Sequence, residues 1–241
     1  MRAVDVRNAW ANLPLSDTKT IFGNGRTLVL APHPDDESIG CGGLIAELCR
    51  VGRPPRVAVL TDGTGSHGAN AVPPSVLRRI REQEARDALR VLGFVAPNVP
   101  VFMRLRDTAA PYRGALFEVA VARLLALCAD CDTICAPWSE DPHSDHLAAH
   151  LMAAAVAKQV AIRHLSYPVW GWTLPDETQL PDRPVQGWRL DISASLAEKQ
   201  SAVQAHRSQH GMVVTDDPNG FMLPSALLET TRRPFEVYLV P

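Results

Sequence analysis

Short apolar runs alternate with longer amphipathic ones along the first ~160 residues, and this alternation constrains the fold more than any other feature of the chain. Residues 27–31 (TLVLA), 56–61 (RVAVLT), 99–103 and 133–136 read as strands. Residues 42–51, 74–92, 115–129 and 146–160 read as helices set between and after them. Pro73 and Pro74 open the second of these helices and Gly93 closes it. Parallel neighbouring strands need a long crossover, and a helix supplies it, so the pattern predicts an α/β fold with a mostly parallel sheet. Beyond residue 160 the pattern loosens. Residues 164–170 look extended, 171–186 are a Pro-rich loop, 188–192 a strand, 193–206 a helix and 235–240 a last strand.

A chain of 241 residues that is 46% hydrophobic can bury a sizeable core, and one domain over 1–241 is the simplest account. The 24 basic and 26 acidic side chains leave a net charge of −2. That gives no cationic surplus of the kind that nucleic-acid binding draws on. No apolar run approaches the ~18 residues of a membrane span, and the first residues have no apolar core of signal-peptide length. The five cysteines are an odd number. Together these features predict reduced thiols and a cytoplasmic protein without an integral membrane segment. Cys128 and Cys131 form a CxxC at the end of an apolar helical run, with no second such pair, and read as buried thiols.

In parallel α/β sheets, ligands sit beyond the carboxyl ends of the strands. Two polar clusters fall there. The first, His33-Pro34-Asp35-Asp36-Glu37, follows the first strand at once and precedes what reads as a Gly-rich turn, Gly40-Cys41-Gly42-Gly43. Pro34 disfavours the helical region at His33 and so fixes its approach. Acids at a helix N-terminus would account for Asp35, Asp36 and Glu37, but not for His33. The second cluster, residues 138–146, carries His143, Asp145 and His146, with His150 one turn further on. Imidazole and carboxylate at these spacings suit a zinc-type ion. His33, Asp36 and one later His supply the three protein ligands that catalytic zinc commonly has, leaving a position for water of lowered pKa. Asp35, adjacent and not needed as a ligand, suits a general base. A remaining His suits stabilisation of an oxyanion and protonation of a leaving amine. The set fits amide hydrolysis.

At these residues the sequence resembles the LmbE/PIG-L family of zinc-dependent de-N-acetylases. The family's (A/P)HPDDE motif appears as Pro32-His33-Pro34-Asp35-Asp36-Glu37, and its HxDH motif as His143-Ser144-Asp145-His146. Arg81, Glu84 and Ala88 before Leu92-Gly93 resemble its RxxExxxAxxxLG helix. Lys199, Ala202, His206, Ser208 and Gln209 resemble its late KxxA…HxSQ segment. The match touches about residues 26–210. The resemblance implies a Rossmann-like three-layer fold with His33, Asp36 and His146 as metal ligands. It implies Asp35 as general base, His143 as oxyanion stabiliser or acid, and Asp145 as the residue that orients a catalytic neighbour. Arg81 stands where the family contacts the substrate sugar or its phosphate. The implied reaction removes the N-acetyl group of an N-acetylglucosamine-type sugar or conjugate, a small-molecule partner, and releases acetate. Zn²⁺ is the implied cofactor, and the same ligands accept Fe²⁺. A homo-oligomer is compatible with all of this.

Other residues admit a functional and a plainer reading. The loop at 61–68 lacks the spacing of a nucleotide site and reads as a border of the active site, with His67 a loop residue. Trp138, Trp170 and Trp172 suit either sugar stacking or core packing. His150 reads as a structural neighbour of the site. The rival functions are a metal-dependent amidase for a non-sugar amide and a catalytically idle binding module. A dinucleotide oxidoreductase is excluded by carboxylates in the first turn, where a pyrophosphate needs a glycine-rich anion site.

Overall fold

The computed structural model describes residues 1–241. Helices α1 (Ala3–Ala11) and α2 (Thr18–Phe22) flank a short strand β1 (Leu15–Ser16), and β2 (Arg26–Ala31) leads into α3 (Asp36–Arg50). Strand β3 (Arg56–Thr61), α4 (Pro74–Val91), β4 (Val101–Leu105), α5 (Ala115–Leu127), β5 (Cys131–Pro137) and α6 (Ser144–Val160) follow in strict alternation. The last third holds β6 (Arg163–Tyr167), β7 (Gly187–Asp191), α7 (Leu196–Ala205), α8 (Ser225–Thr230) and β8 (Phe235–Leu239). One eight-stranded sheet runs β1-β7-β8-β6-β5-β2-β3-β4, and β8 is antiparallel to both of its neighbours while the other pairings are parallel. The α/β, mostly parallel expectation holds.

Strand β2 shows why the sheet has helices on both faces. Val29 packs into one core with Leu44, Ile45, Val57, Leu89 and Leu165. Its neighbours Leu28 and Leu30 point to the opposite face and pack with Ile134, Met152 and Val156. A strand buried on both faces reads as a continuous apolar run, and that is how TLVLA reads. Helices α3, α4 and α7 cover the first face, and α5 and α6 the second. No helix is long and apolar enough to cross a membrane.

One local expectation is corrected. Helix α3 begins at Asp36 rather than near residue 42, so the Gly40-Cys41-Gly42-Gly43 run lies wholly inside it rather than turning into it. Glycine costs helix stability, but here close approach decides the residue. A Cβ on Gly40 would meet the Tyr167 ring at 2.3 Å, and one on Gly43 would meet Ile192 at 2.4 Å. The Gly43 and Leu44 amides donate to the Glu236 carboxylate at 2.7 and 2.9 Å, and Lys199 Nζ neutralises it at 2.7 Å. Buried acid, buried lysine and bare backbone together press α3 onto the sheet. That contact fixes the height of its first turn, where the first polar cluster lies.

The sheet order changes direction at β2: the chain moves from β2 to β3 on one side and returns to β5 on the other. The crevice beyond the carboxyl ends of β2 and β5 is therefore the topological switch point.

Candidate metal centre

The turn after β2 is tied down before any catalytic group is placed. The Pro32 carbonyl accepts both the Thr61 amide and the Thr61 hydroxyl, each at 2.9 Å, which clamps it to the end of β3. Asp35 then takes φ +149°, a conformation that L residues rarely adopt and that costs on the order of 1–3 kcal/mol. Its surroundings hold it there. Its amide donates to Glu37 Oε2 at 3.0 Å, and Arg81 donates to the Pro34 carbonyl at 2.8 Å and to Asp35 Oδ2 at 3.1 Å. Glu37 is fixed in turn by His206 Nε2 at 3.1 Å and by the Ser38 hydroxyl at 2.8 Å.

Asp36 opens α3 and turns its carboxylate inward. Its Oδ2 lies 3.0 Å from His33 Nδ1 and 3.3 Å from His146 Nε2. Bonds of roughly 2.0–2.1 Å to a tetrahedral ion separate neighbouring ligand atoms by roughly 3.3 Å, so these spacings suit one ion. His146, on the first turn of α6, is fully buried. Its Nδ1 lies 3.0 Å from Asp141 Oδ2, which assigns the ring proton to Nδ1. Its Nε2 is buried without a hydrogen-bond partner. A buried imidazole with a carboxylate behind it and a bare lone pair in front has the form of a metal ligand. The donor set therefore fits a divalent ion of the zinc type. His143 lies nearby: ring nitrogens of His33, His143 and His146 all lie within 4.8 Å of one another.

The second wall comes from the loop after β4. Asp107 Oδ1 and Asp145 Oδ2 each lie 3.2 Å from His33 Nε2. Asp145 also accepts the Thr108 and Ala110 amides at 2.8 and 3.0 Å, and Asp107 accepts the Gly65 amide at 2.8 Å. Thus the two acids bind the β3 and β4 loops to the centre. The Asp145 amide donates to His143 Nδ1 at 3.2 Å, leaving the proton of a neutral His143 ring on Nε2.

The fields follow from burial and charge. Burial pushes the Asp35 carboxyl up to about 6, against the pull of Arg81. Burial also acts to raise Asp36, but His146 and His33 outweigh it and hold the carboxyl well below its usual value. Burial pulls His146 down, and the Asp36 and Asp141 carboxylates overcome it, lifting the imidazole to about 9; the same carboxylates would favour a metal cation in place of the proton on Nε2. His143 is lowered, by burial first and then by His33 and His146. A site so rich in opposed ionisable groups is characteristic of catalysis or metal binding.

All seven residues singled out in the sequence converge here: His33, Asp35, Asp36, Arg81, His143, Asp145 and His146. Asp107 and Asp141 join them without having been singled out for a role. Both stand just past the ends of strands, where the carboxyl-edge rule applies equally. His150 stays outside, with Nδ1 3.0 Å from the Pro137 carbonyl. The three tryptophans divide. Trp138 and Trp172 pack edge-on against buried Trp10, each with centroids 4.9 Å apart, whereas Trp170 faces the central pocket. That pocket has a volume of about 170 Å³ and is floored by His33, Asp35, Asp36 and His143.

The family model described as GlcNAc-PI de-N-acetylase (PIG-L) matches residues 28–157. The chain belongs to the PIG-L family. The matched PIG-L segment contains both polar clusters and Arg81. Among curated proteins, the 2'-N-acetylparomamine deacetylase of Streptomyces fradiae is 36% identical over 146 residues, which cover 52% of this chain and 50% of that protein. The match to this relative thus spans half of its length. Among solved structures, a conserved protein of Thermus thermophilus has a TM-score of 0.59 at 26% identity, covering 78% of this chain and 81% of that one. The N,N'-diacetylchitobiose deacetylase of Pyrococcus horikoshii has a TM-score of 0.61 at 21% identity, covering 93% and 79%, and shares the PIG-L fold seen here.

Proposed function

We propose that this protein is a metal-dependent hydrolase that removes the N-acetyl group from an amino sugar or sugar conjugate, with release of acetate. The observation that carries the reading is the bare, buried Nε2 of His146 beside Asp36 and His33, with Asp35 poised next to them. Family membership supports it, as do relatives whose names specify deacetylation of an N-acetylated aminoglycoside and of diacetylchitobiose. The whole chain is read as one catalytic domain.

In this reading His33, Asp36 and His146 hold the ion, which is zinc by its donor set, with iron(II) accepted by the same ligands. Such an ion polarises an amide carbonyl and makes water acidic enough to react near neutral pH. Asp35 takes the proton of the attacking water, and its carboxyl, raised to about 6, suits a base that must later give the proton back. Arg81 holds Asp35 in its strained conformation and keeps it aimed into the pocket. His143 presents Nε2–H toward the oxyanion and toward the departing amine. Asp145 sets the His143 ring through its backbone amide, and its carboxylate braces His33. Asp141 fixes the His146 tautomer. Asp107, Ser66 and Arg81 offer polar groups to sugar hydroxyls. Five free thiols fit a reducing compartment, and the cytoplasm is the proposed location.

The test is acetate release from N-acetylated sugars, with and without chelator: free N-acetylglucosamine, diacetylchitobiose, N-acetylparomamine, and inositol and lipid conjugates. Chelator-sensitive release from one or more is expected. No release from any by zinc-loaded protein, with turnover of a non-sugar amide, would replace the sugar reading by a general amidase.

A further inference from the structure

The pocket is two-sided. Its polar side is a hydrogen-bonded set: Gly65 donates to Asp107, Gln209 Nε2 reaches Ser66 Oγ at 3.5 Å, and Arg81 donates to Gly63 and Asp35. Its other side is made by Ile39, Val169, Trp170, Phe221, Leu223 and Leu227, which belong to one continuous apolar core. Ile39, Val169, Leu223 and Leu227 are buried, whereas Trp170 and Phe221 are only partly buried and present their rings to the pocket. Their rings meet edge-on with centroids 6.1 Å apart. The strap that carries Phe221 and Leu223 is pinned in place, with the Phe221 amide donating to the Ser66 carbonyl at 2.7 Å and the Leu223 amide to the Gln209 carbonyl at 2.8 Å. Apolar area held open to a pocket is stabilised only when an apolar group of the ligand covers it.

A secondary amide in its trans form sends the nitrogen substituent and the acyl carbon chain to opposite sides of the C–N bond. Sugar hydroxyls need donors and acceptors, which the polar side has and the apolar side lacks. The acyl chain then lies along the apolar side. A lone acetyl methyl covers a small part of the half-buried Trp170 and Phe221 rings. Resting on the deacylase reading above, we propose that the wall of Trp170 and Phe221, backed by Leu223 and Leu227, is an acyl subsite, and that this enzyme hydrolyses N-acyl sugars with chains longer than acetyl, in the three- to six-carbon range. The reaction is the same: water adds to the carbonyl carbon, the C–N bond breaks, the amine leaves with a proton, and the longer carboxylate is released.

The test is a series on one sugar, glucosamine carrying N-acetyl, N-propionyl, N-butanoyl or N-hexanoyl, read as free amine released by the metal-loaded enzyme. A second series keeps the acetyl group and varies the aglycone from hydroxyl to methyl to octyl glycoside. We expect kcat/KM for the butanoyl substrate to equal or exceed that for acetyl, with gains of up to about fourfold per added methylene that the wall covers. Phe221→Ala should lower butanoyl turnover at least fivefold more than acetyl turnover, and Phe221→Leu should restore most of the difference. A butanoyl kcat/KM below that for acetyl would overturn the acyl subsite while leaving deacetylation standing. A Phe221-dependent gain with the octyl glycoside, and none along the acyl series, would overturn it by assigning the wall to the aglycone. Absence of amine release from every substrate would instead remove the deacylase reading itself, and the acyl subsite with it.

Discussion

The side chains of the polar and apolar walls of the pocket are held by different forces and come largely from different parts of the chain. Apart from Gln209, the polar wall lies in segment 28–157, which the family model matches, and its loops are tied down by hydrogen bonds. Asp145 accepts two backbone amides, Pro32 accepts two groups of Thr61, and Asp141 accepts from His146 and from the amides of Val169 and Gly171. Most of the apolar wall lies beyond residue 157: the side chains of Val169, Trp170, Phe221, Leu223 and Leu227 pack into one hydrophobic core, while backbone hydrogen bonds to Asp141, Ser66 and Gln209 hold Val169, Phe221 and Leu223. Hydrogen bonds to charged groups fix position closely, as a metal site requires. Hydrophobic packing tolerates exchange of side chains of similar volume, as a wall that chooses between substrates requires. The proposed chemistry therefore rests on the first part and the proposed acyl selectivity on the second.

Substitutions can break that division. The largest effect is expected from His146→Ala, which should lose bound metal and bring turnover to background. Metal content by atomic spectroscopy checks it, and full occupancy in the variant would remove His146 from the ligand set. Asp35→Asn should lower kcat by roughly 10²–10⁴-fold with metal content unchanged, since it removes a proton acceptor and not a ligand. Loss of the metal together with the activity would show that Asp35 acts on the ion. Asp141→Ala should weaken zinc affinity by about 10–100-fold through the freed His146 ring, read by competition with a chelating dye. On the apolar wall, Leu227→Ala should cost about 2–5 kcal/mol of stability and leave metal stoichiometry at the wild-type value. Coupled loss of metal in that variant would mean that the two walls are one unit.

A smaller effect is expected at the joint between the regions. His206, at the end of α7, reaches back to Glu37. Burial acts to lower the His206 imidazole, but Glu37 and Asp35 raise it above its ordinary value. The folded protein therefore holds this proton more tightly than the unfolded chain. That contribution to stability is full below the ordinary histidine value and is lost as pH rises through the folded one. Thermal melting followed across this range should show the decline in the wild type and a flatter profile in His206→Gln. Identical profiles would show that the pair contributes nothing to linkage.

The same division governs what can be read without a structure. His33, Asp36, His143 and His146 are legible because a strand end and a helix start are local features and ligand spacing is local too. Asp107 escapes notice although it follows a strand directly, because a lone acid in a loop carries no spacing signal. Trp170 and Phe221 meet across 51 positions of chain, and only the folded strap brings them together. The glycines of α3 read as a turn because their intrinsic preference opposes helix, and close approach to Tyr167 and Ile192 overrides it. Helices α1, α2 and α8 are short and leave no clear signal in the sequence, since helices of one to three turns owe their stability to packing rather than to sequence period.

The most direct test of the central claim is to titrate metal-free protein with zinc while measuring bound metal and acetate release from an N-acetylated amino sugar. The account expects turnover to rise in proportion to bound zinc and to level off at one ion per chain. Full loading at one ion per chain without hydrolysis of any N-acetyl sugar, or undiminished hydrolysis by the chelated protein, would contradict it.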